Sequence, residues 1–290
     1  MVKGVFEVAN KHKNKRWRDP RFIKAHNLER DYYSNPVFKN LEQPSVLWGR
    51  HAVIAALHNP QRIFAHIFCS ENNRSTLDEE ISKIRSAGAS PIPELEVLPI
   101  QELNHLVPSD SVHQGFVAIS EALKEPDFDG FLEKNKTTRH LTLVLLDQVT
   151  DPQNVGAIAR SAVALGAHGM ILQSRNAPKL DGMLAKAASG AIEYIPIFRV
   201  TNIARAIRKM QNFDISCFGL AGESDIVINK TPFTARVALV LGAEGAGLRR
   251  LTRESCDQLV SLPTVTHFST LNVSNAASIA LYELQRRKEV

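Results

Sequence analysis

The stretch LTLVLLDQVTDPQNVGAIARSAVALG, residues 141–166, decides the fold class. Leu141–Leu146 is an almost continuous apolar run, which is typical of a strand buried on both faces of a parallel sheet. Val155–Leu165 has apolar residues at helical spacing, and Gly166 is a helix stop. A strand that leads through a polar loop into a helix is the repeating unit of an α/β domain.

The same alternation continues to the end of the chain. The pattern predicts further strands at Gly169–Gln173, Ile195–Phe198, Ile215–Leu220, Val237–Leu241 and Leu259–Leu262, and helices at Asp181–Ser189, Ile203–Met210 and Ser274–Lys288. We therefore expect a doubly wound α/β domain over residues 139–290, with its ligand at the carboxyl ends of the strands.

The preceding part of the chain predicts a smaller α/β unit over residues 45–121. Its expected elements are strands at Val46–Trp48, Ile63–Cys69 and Gly115–Ser120 and helices at Arg50–His58 and Leu77–Ala87. Residues 122–138 are charged and lack a clear period, so we interpret them as a linker.

The composition is that of an ordinary globular protein, with 44% hydrophobic and 22% charged residues. The segment Gln258–Tyr282 lacks formal charge but is too polar for lipid, which indicates burial inside protein. Cys69, Cys217 and Cys256 are scattered, so we expect small buried side chains, no zinc site and a reducing cytoplasm. The N-terminus lacks the apolar core of a secretory signal.

Positive charge is concentrated in the N-terminal tail, which we place at residues 1–44. Residues 1–40 contain ten Lys or Arg and four acids, a net charge of +6, whereas the whole chain carries +5. Trp17, Tyr32 and Tyr33 lie among these cations, so the tail can neutralise phosphates and stack on unpaired bases. A solvated, disordered extension is the alternative interpretation.

The glycine loop VLGAEGAG, residues 240–247, follows a predicted strand. Its spacing is GxxGxG, not the GxGxxG of a dinucleotide fold, and Glu244 would repel a pyrophosphate. A carboxylate here suits a ligand with donor groups or positive charge, such as S-adenosylmethionine. A tight turn with Glu244 near a helix N-terminus explains the same residues.

Two more polar blocks follow predicted strands. In DPQNVGAIAR, residues 151–160, Asn154 lies at or beside a helix start and Arg160 lies within the first two helical turns. Arg160 suits an RNA phosphate or ribose oxygen because it has five fixed donors. Alternatively, Asn154 is a plain N-cap and Arg160 forms a surface ion pair.

The third block is STLNVSNAAS, residues 269–278. Ser274 is the predicted N-cap of the last helix, which leaves Thr270 and Asn272 free to face a site. Capping alone would also explain these polar residues.

Taken together and in this order, the three blocks resemble the SpoU branch of the SPOUT RNA ribose methyltransferases. The resemblance covers residues 139–290. More weakly, WGRHAVIAAL (48–57) and HQGFVAIS (113–120) are similar to the ribosomal-protein-like substrate-binding domain of the rRNA guanosine 2′-O-methyltransferase subgroup. The resemblance implies an α/β domain with a C-terminal trefoil knot, and a homodimer with its site at the subunit interface.

The implied reaction is S-adenosylmethionine-dependent methylation of a ribose 2′-hydroxyl in RNA, without a metal, and a guanosine of 23S ribosomal RNA is the leading substrate. The residues that match the family's cofactor contacts, largely through backbone groups, are Leu241, Gly242, Gly247, Leu262 and Leu271. Those that match its reaction site are Asn154, Arg160, Glu244, Thr270 and Asn272, and Thr270 departs from the usual Ser.

The family assigns activation of the hydroxyl to the position of Arg160. The pKa of a free guanidinium lies above about 12, so we expect Arg160 to hold a phosphate and stabilise the developing alkoxide. Asn154 and Glu244 would then fix Arg160 and the ribose.

Other interpretations stay open at this point. The same chemistry fits a tRNA ribose methyltransferase or a resistance methyltransferase that protects the ribosome. A non-catalytic RNA-binding or ribosome-assembly module is an alternative from a different functional class. A nucleotide-dependent dehydrogenase is disfavoured by the loop spacing and by Glu244.

Overall fold

The computed structural model describes residues 41–88, 92–265 and 271–288. The chain divides into two compact units between Leu123 and Lys124. The predicted tail lies outside the described residues up to position 40, and Thr270 lies outside them as well.

The first unit contains a four-stranded sheet in the order β1-β4-β2-β3. Its elements are β1 Pro44–Trp48, α1 Arg50–His58, β2 Phe64–Cys69, α2 Arg74–Ser86, β3 Leu95–Val97, α3 Ile100–Asn104 and β4 Phe116–Glu121. Strands β2 and β3 are parallel, and β4 is antiparallel to both β1 and β2. All five predicted elements are present, whereas the short β3 and α3 were not predicted.

The second unit contains a six-stranded sheet in the order β10-β8-β9-β5-β6-β7. Its strands are β5 Leu141–Asp147, β6 Gly169–Gln173, β7 Ile197–Val200, β8 Ser216–Leu220, β9 Arg236–Gly242 and β10 Gln258–Val260. Its helices are α4 Phe128–Lys134, α5 Pro152–Ala164, α6 Gly182–Ala187, α7 Ile203–Gln211, α8 Arg250–Ser255 and α9 Val273–Lys288. Short 3₁₀ turns lie at Glu71–Asn73, Ala191–Glu193 and Ile228–Lys230.

All neighbouring strands of this sheet are parallel, as the apolar runs predicted. Leu141, Leu143 and Leu145 pack in one apolar cluster with α4 and α7. Val144 and Leu146 on the other face are also buried, and α9 packs on that unit's β9 and α5. The central strand β5 is therefore covered on both sides, which explains its almost unbroken apolar sequence.

The structure differs from the predicted linker over residues 122–138. Residues Phe128–Lys134 form α4, and Asp127 caps its start by accepting from the backbone N–H groups of Asp129 and Gly130. Phe128 and Leu132 are buried in the core of the second unit. This helix has seven residues, and only Phe128, Phe131 and Leu132 have apolar spacing typical of a helix, so its position depends on tertiary packing rather than on a long local pattern.

The charge-free segment is less buried than predicted. Val260 and Ser261 are buried, but residues 263–265 and 271–272 are exposed. The cysteines agree with the prediction, since Cys69 and Cys217 are buried, Cys256 is partly buried, and all three are free. Within the described ranges, no helix combines the length and apolar character needed to cross a membrane.

Candidate functional site

The strand order brings four loops to one edge of the second sheet. Strand β9 lies between β5 and β8, and β10 lies on the far side of β8. The loops that follow parallel strands leave from the same edge, so the loops after β5, β8, β9 and β10 are neighbours. A cavity of about 850 Å³ opens among the last three of these loops.

The cavity is lined by all five residues that the sequence predicts as cofactor contacts, namely Leu241, Gly242, Gly247, Leu262 and Leu271. Glu244 and Asn272 from the predicted reaction site also line it. Leucine side chains and glycine backbone therefore make most of the predicted wall, and a carboxylate and an amide supply polar groups. Such a mixture is typical of a small-molecule site.

The glycine loop folds back on itself as a tight hairpin, residues 243–247. Ala243 and Gly247 exchange backbone hydrogen bonds of 3.2 and 2.9 Å. Gly245 and Gly247 have φ values of 73° and 66°, in the left-handed region that favours glycine. A Cβ atom on Gly242 would lie 2.1 Å from the Gly247 carbonyl carbon, so only glycine allows this closure.

Asn272 joins the three sequence blocks. Its Nδ2 donates to Asn154 Oδ1 at 2.9 Å and also to Glu244 Oε1. Its Oδ1 accepts from the backbone N–H of Ser274 at 2.8 Å. Because a backbone N–H can only donate, Oδ1 must face Ser274 and Nδ2 must face Asn154 and Glu244.

Two capping assignments differ from the sequence interpretation. Asp151, not Asn154, is the N-cap of α5, and its carboxylate accepts from the backbone N–H of Gln153. Asn272, not Ser274, caps α9 through its Oδ1. Asn154 is consequently free of capping and contributes its side-chain oxygen to the site, whereas Asn272 serves both purposes.

Arg160 lies apart from this hydrogen-bonded group. It is the ninth residue of α5, and so it sits in the third turn rather than the first two. Its Nη1 donates to Ser189 Oγ at 3.3 Å, and the side chain is exposed. Gly156, one turn earlier, makes this approach possible, since a Cβ there would lie 2.6 Å from the Ala187 Cβ.

Asp147 and Arg249 form an ion pair at the edge of the same site. Asp147 is the completely buried last residue of β5, and Arg249 follows the glycine hairpin. Asp147 Oδ1 accepts from Arg249 Nε at 2.7 Å, and Oδ2 accepts from the Arg249 backbone N–H at 3.1 Å.

One wall of the cavity was not predicted. That wall is formed by Leu220, the last residue of β8, and by Ala221, Gly222 and Glu223, which directly follow it. Arg253 donates to Glu223, and this hydrogen bond holds the pKa of the Glu223 carboxyl below its usual value. In the sequence, Gly222 and Glu223 follow a predicted strand, which is the pattern of the other site loops. Only the order of the strands in the sheet places this loop beside the glycine hairpin.

The part of the chain that the structure describes holds no cluster of three or more His, Cys, Asp or Glu side chains suited to a metal ion.

Comparison with known proteins finds relatives of both units. The family model of the SpoU rRNA Methylase family matches residues 141–282. The model described as RNA 2′-O ribose methyltransferase substrate binding matches residues 46–126.

Two curated relatives carry the same name, 23S rRNA (guanosine-2′-O-)-methyltransferase RlmB. The Yersinia pestis protein is 38% identical over 84% of this chain and 97% of its own length. The Escherichia coli K12 protein is 36% identical over 84% of this chain and 98% of its own length.

A solved structure has the same fold. The SpoU methyltransferase AviRb from Streptomyces viridochromogenes, in complex with the cofactor AdoMet (S-adenosylmethionine), aligns with a TM-score of 0.68 at 25% identity. The alignment covers 84% of this chain and 90% of that one.

Proposed function

Since this chain belongs to the SpoU rRNA methylase family, we propose that it methylates the ribose 2′-hydroxyl of a guanosine in 23S ribosomal RNA with S-adenosylmethionine as methyl donor. The observation that carries the proposal is the cavity at the edge of the parallel sheet. The five predicted cofactor contacts line it, and Asn272 links it to Asn154.

The residues present fit S-adenosylmethionine. A volume of about 850 Å³ falls within the usual range for small-molecule sites. Leu241, Leu262 and Leu271 offer apolar surface, and the backbone of Gly242 and Gly247 allows close approach. When bound, the cofactor supplies an electrophilic methyl group on a cationic sulfur. The carboxylate of Glu244 complements that positive charge and the cofactor's amino and hydroxyl donors.

The hydrogen bonds of Asn272 separate a side chain that orients its neighbours from side chains that are left to contact the ligand. Asn272 uses Oδ1 for the α9 cap and Nδ2 for Asn154 and Glu244. We therefore assign Asn272 to positioning. Asn154 presents its oxygen to Asn272, so its own Nδ2 is directed elsewhere, and we assign this amide to the ribose. Glu244 retains a second carboxylate oxygen for the same purpose.

Arg160 supplies positive charge that can move towards the substrate. Its exposed guanidinium donates a long hydrogen bond to Ser189, which substrate can displace at little cost. A guanidinium stays protonated, so Arg160 stabilises the developing alkoxide and holds the neighbouring phosphate, and the proton of the 2′-hydroxyl passes to water. Thr270 is proposed as a further hydroxyl of this site by its place in the third block.

The first unit is proposed to bind the RNA substrate, and the match to a substrate-binding family model supports this role. The basic tail is proposed to add phosphate contacts. We place the protein in the cytoplasm, where free cysteines and ribosomal RNA occur together.

A homodimer and a C-terminal trefoil knot complete the proposal. Ile279 and Tyr282 are 45% and 59% exposed on α9, and Asn275 on the same helix lines the cavity. This apolar face beside the cavity supports a dimer with the site at its interface. The packing of α9 against α5 and β9, after β10 has crossed beyond β8, supports the knot.

Mapping of ribose methylation in ribosomal and transfer RNA, with and without the gene, tests the proposal. We expect one guanosine of 23S ribosomal RNA to lose its 2′-O-methyl group in the deletion strain. Return of the gene should restore the group, whereas an Arg160→Ala copy should not. Loss of a tRNA methyl group instead would identify a tRNA enzyme, and unchanged RNA would favour a non-catalytic module.

A further inference from the structure

We infer that Asp147 and Arg249 are a positioning pair for methyl transfer, because together they hold the glycine hairpin against the end of β5. This inference rests on the proposed function, since the pair acts through the cofactor cavity and the reaction site. Neither residue lines that cavity.

The contact between the two residues is extensive for one pair. Arg249 donates two hydrogen bonds to Asp147, from Nε to Oδ1 at 2.7 Å and from the backbone N–H to Oδ2 at 3.1 Å, and Nη2 lies 2.6 Å from Oδ1 in the ion pair. Asp147 is completely buried, whereas the Arg249 side chain is 41% exposed. A buried carboxylate needs such partners, so the position of Arg249 is tightly constrained.

The pair closes the hairpin at its second end. At the first end, Gly242 is the register partner of Asp147 in the β5–β9 ladder. At the second end, Leu248 is buried and Arg249 returns to Asp147. Both ends of the hairpin are thus anchored to the same residue of β5, and Glu244 lies between the two anchors.

The pair also sets the distance between two sequence blocks. From Asp147 the chain continues through the Asp151 cap to Asn154, and through Arg249 it connects to the hairpin that carries Glu244. Asn272 must reach Asn154 and Glu244 with one amide nitrogen. A shift of the hairpin relative to β5 would break this bridge and widen the cavity wall at Gly242.

Stability alone is a weak explanation for the pair. Apolar residues that fill the same space commonly stabilise a fold as well as a buried ion pair does. The arginine also orients the backbone. Its guanidinium is planar and rigid, so its contact with the buried Asp147 carboxylate fixes the direction in which the chain runs at Arg249.

Arg249→Lys is the most informative variant. A lysine keeps a cation beside the buried carboxylate, so the protein should fold, but it lacks the planar guanidinium whose Nε and Nη2 both lie against Asp147 Oδ1. We expect the dissociation constant of S-adenosylmethionine to rise about tenfold, equivalent to about 1.4 kcal/mol. At saturating cofactor, kcat should still fall about 100-fold because the reacting groups are misplaced. The unfolding temperature should stay close to that of the wild type.

Arg250→Ala is the matched control. Arg250 is the next residue, is 77% exposed, and pairs with Glu254 one turn later on the same helix. Its removal deletes the same charge without touching Asp147, so cofactor affinity and kcat should equal those of the wild type.

A double-mutant cycle with Asp147→Asn and Arg249→Gln tests whether the pair acts as a unit. If it does, the double variant should lose no more kcat than either single variant. The inference is overturned if Arg249→Lys keeps wild-type affinity and kcat, or if the two losses add. A wild-type protein that fails to bind S-adenosylmethionine would contradict the proposed function itself.

Discussion

Asn272 Nδ2 donates a hydrogen bond of 2.9 Å to Asn154 Oδ1, although 118 positions separate the two residues in the sequence. The same nitrogen donates to Glu244, so one amide connects the first turn of α5 with the loops that follow β9 and β10. The opposite end of that amide caps α9. The start of the last helix and the geometry of the candidate reaction site are therefore fixed by a single side chain.

Asn272→Asp should separate the capping of α9 from the bridge to Asn154 and Glu244. The aspartate keeps an oxygen for the Ser274 backbone N–H, so the cap and the helix should persist. It replaces the donor that faces Asn154 Oδ1 and Glu244 with a second carboxylate oxygen, which repels both. We expect kcat for methyl transfer to fall about 100-fold through misplacement of the reacting groups.

Helical content by circular dichroism and the unfolding temperature check that the cap survives in Asn272→Asp. Asn272→Ala serves as the comparison, since it removes both the cap and the bridge and should lower stability by about 1 kcal/mol. Full methyl transfer by the aspartate variant would show that the bridge to Asn154 and Glu244 has no part in the reaction.

Arg160→Ala should abolish methyl transfer while cofactor binding stays nearly intact. Loss of one donor to a developing oxyanion typically lowers kcat by about 10²–10³. Arg160 is exposed and its hydrogen bond to Ser189 is long, at 3.3 Å, so its removal should leave stability unchanged. A radiolabel transfer assay and calorimetry with S-adenosylmethionine measure the two quantities.

Arg175→Ala is a suitable control for Arg160→Ala, because Arg175 is also exposed in the second unit and follows β6 rather than a cavity strand. It should bind the cofactor and unfold like the wild type. Undiminished methyl transfer by the Arg160 variant would remove this residue from the reaction site.

Much of the second unit could be predicted because its strands are buried. Gly169–Gln173 has the predicted bounds, and so does α1 of the first unit. Helix α4 escaped prediction because it is short, and its Phe128 and Phe131 form an apolar contact only through Phe198 of β7. Local sequence cannot report contacts that distant residues create.

The site was predictable where polar residues follow strands in sequence, as with Glu244 and Asn272. It was not predictable where two such loops meet only through the order of the strands, as with Glu223. Asp147 ends an apolar run and resembles any loop acid, and its partner Arg249 is 102 positions away. Asp151 and Asn272 cap the two helices, rather than Asn154 and Ser274, because several adjacent polar residues can each cap a helix.

The buried thiols predict a dependence of stability on alkaline pH. Desolvation by burial raises the pKa of Cys69 to about 11 and of Cys256 to about 12, and it raises that of Cys217 as well. Thiols of the unfolded chain ionise near pH 8.5. The folded state thus holds these protons more tightly than the unfolded chain does. The contribution of the thiols to the free energy of unfolding is fully present below about pH 8.5 and is lost as the pH rises towards about 11.

Urea unfolding across this pH range measures that loss. A variant with all three cysteines replaced by alanine should show a smaller decrease between about pH 8 and pH 10. The native thiols should also react slowly with a disulfide reagent at neutral pH because little thiolate is present. If the two proteins lost stability equally over this pH range, the buried thiols would not be the cause of the loss.

Gly242→Ala, at the end of β9, should damage the cofactor cavity more than an alanine at either glycine of the hairpin. The added Cβ would lie 2.1 Å from the carbonyl carbon of Gly247 and 2.4 Å from the Leu248 nitrogen, and both are backbone atoms that cannot move alone. Overpacking of this kind costs about 1–3 kcal/mol. If that energy opposes the closed hairpin, affinity for S-adenosylmethionine falls by about 10- to 100-fold.

Gly245→Ala gives the contrast within the same loop. A Cβ at Gly245 meets no atom within 4 Å, but the φ of 73° makes alanine unfavourable. The left-handed backbone costs an ordinary residue about 1–2 kcal/mol, but the alanine side chain collides with neither Gly247 nor Leu248. Calorimetry should therefore rank cofactor affinity as wild type, then Gly245→Ala, then Gly242→Ala. If Gly242→Ala binds as tightly as Gly245→Ala, the closed hairpin is not the wall against which the cofactor binds.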